Sequence, residues 1–494
     1  MGYLLLLFFS LSGVIPVMGE GDGVVYERSN DSLTLQPAKI RDVYSAEVAF
    51  NIYQGLVDLD HRTLQVRPCL AEKWEILNDS KTWIFHLREG ICFHNGREFS
   101  AEDVRYTFSH LITDRESSRK FYMVKNLIEG IRVMAPDRIE IRLNAPYAPF
   151  LTALTDPSFL IVPRGGYEQK PFLPVGTGPF AFQEWERGKV LILKKNPRFH
   201  DAPVRLENII YRVQPDGYSR LLHIKNQDSD LLVIRSKAEE DTLASMPHIR
   251  IVKNQKLQIN YLGFNLKTSA FADLRLRKAF ARSINKEQLV RFVFQDLALP
   301  ISAPLPPSVM DLREELGEDR YDIEAARGVF HQLLTPGERT FRLIYASGNH
   351  SLKELAGRLS ANSARMGINL QVTGAPFPEV IRRIEKRDFD LFLLGYSSSP
   401  DPDLYLTPNF TPEGRFNHTG YENPKLGKLL DRARAEFDED QRESLYQQAL
   451  QFLHRDLPCI PLYSERCFVA CNRRIENLQL HPFGIILFRD ARIR

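Results

Sequence analysis

The chain has 494 residues, of which 43% are hydrophobic and 26% charged, and its 65 basic and 62 acidic residues leave a formal net charge of +3. That length exceeds a single hydrophobic core and suits about three domains of roughly 150 residues each, and the composition is that of a folded globular protein rather than a disordered one. The charges of both signs are interleaved, so there is no basic block of the kind that tracks a phosphate backbone, and nucleic acid is not an expected partner.

At the amino end, Tyr3 to Ile15 is almost wholly apolar and Val17-Met18-Gly19 has the spacing a signal peptidase reads. The run is shorter than the roughly 20 residues that span a bilayer. Residues 1–19 are therefore expected to be a secretory signal cleaved after Gly19, with the atypical feature that no Lys or Arg precedes the apolar run. No cysteine follows that run to carry a lipid anchor, so the expected product is exported, soluble and periplasmic. The five cysteines are Cys69, Cys92, Cys459, Cys467 and Cys471, and none forms a C-x-x-C pair. Cys467 and Cys471 flank a strand-like Phe468-Val469-Ala470, which separates them by about 13 Å, too far for a disulfide. A Cys69 to Cys92 bridge stays open, with buried thiols as the main expectation.

The first half reads as sheet-rich with isolated helices. Ile131 to Leu143 has a hairpin pattern, Ile139, Ile141 and Leu143 alternating with Arg138, Glu140 and Arg142 beyond a Pro-Asp turn. A helix is expected from Ser100, where Ser100 and Asp103 form a capping box and Val104, Phe108 and Leu111 follow at helical spacing. The second half changes rhythm: strand Thr340 to Ala346, helix Ser351 to Met366, strand Ile368 to Val372, helix Pro378 to Lys386 and strand Phe389 to Tyr396. This βαβαβ order implies a layered α/β lobe, with Gly367 as a helix stop and Pro378 tolerated in a first turn. Two amphipathic segments, Pro424 to Glu436 and Asp440 to Leu453, are expected to cover it as a helix pair ended by Pro458.

Open α/β sheets bind ligands beyond the carboxyl ends of their strands. Three loops qualify: Ser347 to His350, Thr373 to Phe377, and the most polar, Ser397 to Asp403 (SSSPDPD). The alternative for the last is a solvated turn, since Ser, Pro and Asp dominate turns. No nucleophile elbow, phosphate loop, dinucleotide fingerprint or H-E-x-x-H motif is present; Gly395 to Ser399 lacks the closing glycine of an elbow. Gly176-Thr177-Gly178-Pro179 reads as a tight turn, and His94 and His418 as structural. Asp401 and Asp403 show no sign of the separated pKa values that an acid and base pair needs. No catalytic residue, metal site or cofactor is expected. The candidate ligand contacts are Tyr44, Asn265, Tyr396, Ser397, Ser398, Ser399, Asp401 and Asp403.

The segment Ile52 to Leu111, IYQGLVDLDHRTLQVRPCLAEKWEILNDSKTWIFHLREGICFHNGREFSAEDVRYTFSHL, closely resembles the signature region of bacterial extracellular solute-binding proteins of family 5, which include oligopeptide, dipeptide and nickel receptors of ABC importers. The likeness continues through PVGTGPFAFQEW (Pro174 to Trp185), LKKNPRFHDAP (Leu193 to Pro203), the stretch Tyr261 to Val290, the PDPD loop and PCIPLY (Pro458 to Tyr463). The resemblance implies an α/β, two-lobed periplasmic-binding-protein fold, type II-like and of cluster C, with an inserted domain and a hinge. Its expected division is 20–50, 170–260 and 465–494 as base lobe, 51–169 as insertion and 261–464 as second lobe, with the hinge near Gln258 to Leu262 and Leu462 to Arg466. The implied function is capture of a short peptide or similar polar solute by a monomer that delivers it to ABC permease subunits, without enzymatic activity. A sensor subunit on the same fold, or a receptor for a nickel complex or oligosaccharide, is the alternative. Relatives that take peptides commonly hold the ligand's amino group with an aspartate ahead of the DPD segment; the matching position here is Ser398, and Asp401 and Asp403 match DPD itself, which shapes the loop.

Overall fold

The computed structural model describes residues 23–115, 121–311 and 320–494. The expected signal peptide, residues 1–19 with the apolar run Tyr3 to Ile15, lies outside the described residues.

The second half forms the expected βαβαβ unit. Strand Thr340–Ala346 lies between Asn369–Ala375 and Leu391–Ser397, parallel to both. Leu343 of that strand packs in one hydrophobic core with Leu355 and Leu359 of helix His350–Arg365, whereas Ile344 packs in another with Val380 and Ile384 of helix Phe377–Glu385. A parallel strand covered on both faces is why the sequence reads as a continuous apolar run. The first helix starts at His350 because the Asn349 side chain caps it, accepting from the Leu352 amide at 3.2 Å, and it stops before Gly367, whose φ of 74° suits glycine. The expected helix pair is Pro424–Ala435 and Glu439–Asp456.

One element departs from expectation. SSSPDPD is not a loop throughout: Ser397 closes its strand, and Pro402–Phe410 is a helix capped by Asp401, whose carboxylate accepts from the Asp403 amide at 2.9 Å. Turn-like composition at the start and Pro408 inside the helix hid it from pattern reading.

The other lobe is built on strand Gly23–Arg28, parallel to Asn208–Val213 and Leu231–Val233. The 14-residue strand Cys459–Asn472 joins the two lobes. Cys459 to Tyr463 pair with strand Gln258–Phe264, and Arg466 to Asn472 pair with strand Ile249–Gln255. The chain thus crosses between lobes at Lys256 and Leu257 and again at Ser464 and Glu465. This corrects the first expected hinge segment, since Gln258 to Leu262 already belong to the second-lobe sheet. The crossings are tied together: Lys256 N–H donates to Glu465 O at 3.0 Å, and Lys256 Nζ lies 2.8 Å from Glu465 Oε2.

Residues between Leu56 and Val175 supply most of a third core around an antiparallel sheet ordered Ala71–Ile76, Thr82–Leu87, Arg138–Leu143, Ile128–Ala135. Helix Ala101–Thr113 docks there through buried Val104, Phe108 and Leu111, with the Ser100 and Asp103 capping box formed. Two sequence motifs seal this unit to the base lobe. Gly176 N–H donates to His94 Nδ1 at 3.2 Å, and His94 Nε2 lies 3.0 Å from Gly178 O, which assigns the neutral Nε2–H tautomer. A Cβ at Gly176 would sit 2.1 Å from Ile52 O, so only glycine fits. All five cysteines are free thiols, which closes the Cys69 to Cys92 alternative.

Candidate functional site

Strand directions turn the carboxyl edges of the two lobes toward each other. Ser397, the last residue of its strand, pairs with Gln258, one residue beyond the crossing at Lys256 and Leu257. Strands Thr340–Ala346 and Asn369–Ala375 run parallel to it, so the carboxyl edge of the second lobe points at the base lobe. Leu231–Val233 runs antiparallel to the joining strand, Val233 lying nearest the crossing, and Gly23–Arg28 runs parallel to it. The base lobe's carboxyl edge, carrying Ser29 and Arg235, therefore faces back. Two opposed carboxyl edges are where α/β sheets offer loops and amides to a ligand.

On the second-lobe wall, Tyr396 is half-buried, its hydroxyl donating to Leu404 O at 3.0 Å, and Ser397 is exposed, its Oγ donating to Leu257 O at 2.6 Å. Both stand at the carboxyl edge of the strand. Ser398 and Ser399 are buried instead. The Tyr405 hydroxyl lies 2.8 Å from Ser398 O and accepts from Ser398 N–H, while Thr155 Oγ1 donates to Ser399 Oγ at 3.1 Å, so Ser399 faces the insertion.

The two aspartates are internal as well, each 3% exposed. Asp401 Oδ2 lies 2.5 Å from an Arg442 NH2. Asp403 accepts from Thr407 Oγ1 at 2.6 Å and Tyr147 OH at 3.1 Å, with Arg434 Nε 3.5 Å away. Burial pushes the Asp401 carboxyl up, and Arg442 opposes that shift. Both carboxylates are thus buried with each oxygen engaged by an internal donor, a placement that shapes this segment rather than offering it to a solute. Asn265 is internal too. It is fully buried at the opposite edge of the sheet, about 23 Å along the strand from Gln258. Its amide donates to Phe389 O at 2.8 Å and Thr268 Oγ1 at 2.7 Å, and its Oδ1 accepts from the Lys267 and Thr268 amides.

On the base-lobe wall, Tyr44 stands in the first turn of helix Val43–Ile52 with its hydroxyl 2.7 Å from Ser29 Oγ. Arg235 NH2 donates to both oxygens, at 2.7 Å to Ser29 and 2.9 Å to Tyr44, and Asn30 Nδ2 donates to Tyr44 OH at 3.2 Å. Burial opposes ionisation of the phenol, but hydrogen bonds from Ser29 and Asn30 and the Arg235 charge outweigh it, leaving its pKa lowered. Sequence reasoning missed Arg235, which follows a three-residue strand and carries no motif. It also missed Asn260, a polar residue in the otherwise apolar strand end NYLGF, opposite Gly395. Asn260 is 6% exposed and its Nδ2 has no partner among the described residues.

The arrangement offers hydroxyls, amides and a guanidinium. Among the described residues no group of three His, Cys, Asp or Glu side chains could hold a metal ion, and no helix is long and apolar enough to cross a membrane.

Comparison with known proteins fits this geometry. The Di/tripeptide-binding protein 2 of Pseudomonas aeruginosa is 23% identical over 514 residues, covering 97% of this chain and 96% of the relative. The Heme-binding protein A of Haemophilus influenzae is 23% identical over 497 residues, covering 94% and 91%. The solved structure of the ABC transporter-associated periplasmic binding protein DppA from Helicobacter pylori in complex with peptide STSA superposes with a TM-score of 0.83 at 24% identity, covering 95% of this chain and 98% of that one. The two-lobed α/β fold is thus that of periplasmic binding proteins. The model of the family described as bacterial extracellular solute-binding proteins, family 5 Middle, matches residues 65–417, more than half of the chain, and the protein belongs to that family.

Proposed function

We propose that this protein is the periplasmic receptor of an ABC importer, a monomer that captures a short peptide or similar polar solute between its lobes and hands it to the permease. The observation that carries the reading is the pair of opposed polar carboxyl edges, one at Ser29 and Arg235 and the other at Tyr396 and Ser397, joined by two adjacent chain crossings. Relatives named for di/tripeptides and dipeptides support a peptide, and the heme-binding relative keeps the wider class of polar solutes in view. In this reading residues 20–50, 170–257 and 465–494 form the base lobe, 51–169 the insertion and 258–464 the second lobe, the expected boundary at 260 being moved to the crossing.

The mechanism is linkage. A solute closes two lobes when it binds the closed arrangement more tightly than the open one; moving a 1:99 population to 99:1 takes about 10⁴-fold preference, about 5.5 kcal/mol. Contacts from both walls are therefore required. Absence of catalysis is supported by the serine hydroxyls: Ser397 is committed to a backbone carbonyl and Ser399 to Thr155, neither to a general base.

Mass spectrometry of small molecules released by denaturing freshly purified protein tests the proposal. A peptide-like solute is expected, and adding it back at 100 times its Kd should stabilise the fold by about 2.7 kcal/mol. Protein that carries no solute, and whose melting temperature answers to no peptide or other polar solute, would refute it.

A further inference from the structure

The base-lobe rim has a charge without an ion-pair partner among the described residues. Arg235 is exposed, and the partners of its guanidinium are two neutral oxygens, Ser29 Oγ and Tyr44 OH; among the described residues no carboxylate pairs with it. Hydroxyls fix a guanidinium in place without cancelling its charge. The nearby acids make other contacts and form no ion pair with the guanidinium. Glu239 Oε2 accepts from the Arg235 backbone amide at 2.7 Å, and Asp31 accepts from Trp185 Nε1 and the Gly188 amide. Glu47 is fully buried, and burial raises its pKa to about 7 against the opposing charge of Arg28. Further cationic groups stand close: the Arg28 guanidinium lies 5.8 Å from the Tyr44 ring centre, and the Arg235 charge is felt at Arg220 and at Lys256 of the crossing.

On the opposite wall the two acids of the Ser397 to Asp403 segment are already engaged. Asp401 is neutralised by Arg442, and Asp403 is consumed by Thr407, Tyr147 and Arg434. A ligand between these walls meets an anchored guanidinium on one side and hydroxyls on the other. Guanidinium is the cation best shaped for a carboxylate, which it grips through two parallel N–H donors.

We infer that Arg235, positioned by Ser29 and Tyr44, is the anchor for an anionic group of the captured solute, so that the receptor selects carboxylate-bearing ligands and does not require an ammonium group. This rests on the proposed receptor function and adds the charge class of the solute.

The test uses the mature full-length protein and one tripeptide library in three forms: unmodified, N-acetylated and C-terminally amidated, with binding read by calorimetry. The unmodified and acetylated sets should bind alike, and the amidated set at least about tenfold more weakly. Arg235→Gln should weaken the unmodified set by about tenfold and leave the amidated set unchanged, and Arg235→Lys should restore part of the loss. Equal binding of acid and amide, with Arg235→Gln indistinguishable from wild type, would overturn the anchor and leave the receptor function standing. If all three sets are silent, the peptide reading falls and glutarate becomes the probe. Glutarate binding that Arg235→Gln abolishes would uphold the anion anchor, and no glutarate binding would overturn it.

Discussion

Two polar regions lie at the facing edges of the two lobes and are built in opposite ways. The Ser398 to Asp403 segment carries the most conspicuous polar motif of the chain, yet its carboxylates are buried, each answered by an arginine and by hydrogen-bond donors. The rim of Ser29, Tyr44 and Arg235 carries no motif, yet there a charged group stays exposed with neutral partners. A saturated polar cluster holds a fold together; an unsaturated one at a cleft has something left to bind. Satisfaction of donors and acceptors separates structural polarity from functional polarity better than composition does.

The largest effect that could break this comparison is on stability. Asp401→Ala strands the largely buried Arg442 and removes a helix cap, so unfolding in urea should show a loss of about 3–5 kcal/mol. A loss below about 1 kcal/mol would mean that the segment is not a structural keystone.

A comparable effect should follow pH. Burial lowers the His94 pKa from 6.5 to about 4, so between those values the unfolded chain holds more protons than the fold. The contribution is complete above about pH 6.5 and is lost as pH falls toward 4, by about 3 kcal/mol. Glu47, raised from 4.5 to about 7 by burial, acts in the opposite sense, its contribution being present below pH 4.5 and lost as pH rises through 7. Chemical denaturation across pH 4–8 should show the acid-side loss shrink in His94→Gln and the neutral-side loss shrink in Glu47→Gln. Unchanged pH profiles would refute the assignment.

Asn265→Ala should cost about 1–3 kcal/mol by leaving the Phe389 carbonyl and the Lys267 amide without their partners, while solute affinity stays within a factor of two. A tenfold affinity loss would return Asn265 to the site. The smallest expected stability effect belongs to Arg235→Gln, within about 0.5 kcal/mol of wild type as for other exposed substitutions. A much larger loss would make the rim a structural element like the segment at the facing edge.

The fold was largely legible in the sequence. The βαβαβ order followed from apolar runs punctuated at Asn349, Gly367 and Pro378, because local caps and stops act where they stand in the chain. The Ser100 capping box and the hairpin strands up to Leu143 were readable for the same reason. Helix Pro402–Phe410 was not, because its polar start resembles a turn and its buried face meets the insertion and the helix Pro424–Ala435. The site was read least well. Tyr44, Tyr396 and Ser397 stand at the two facing carboxyl edges, whereas Asp401, Asp403 and Asn265 are buried, and burial is a property of the tertiary fold. Arg235 meets its partners across 206 and 191 residues of chain, a distance no local pattern spans.

The central claim is that a solute is held between the two carboxyl edges and draws the lobes together. Small-angle X-ray scattering of the solute-stripped protein, before and after saturation with the solute recovered from it, tests this most directly. The account predicts a smaller radius of gyration on saturation in the wild type, with at least about ten times more solute needed in Arg235→Gln. Scattering that stays unchanged at saturating solute, in a protein that calorimetry shows to be fully loaded, would contradict it.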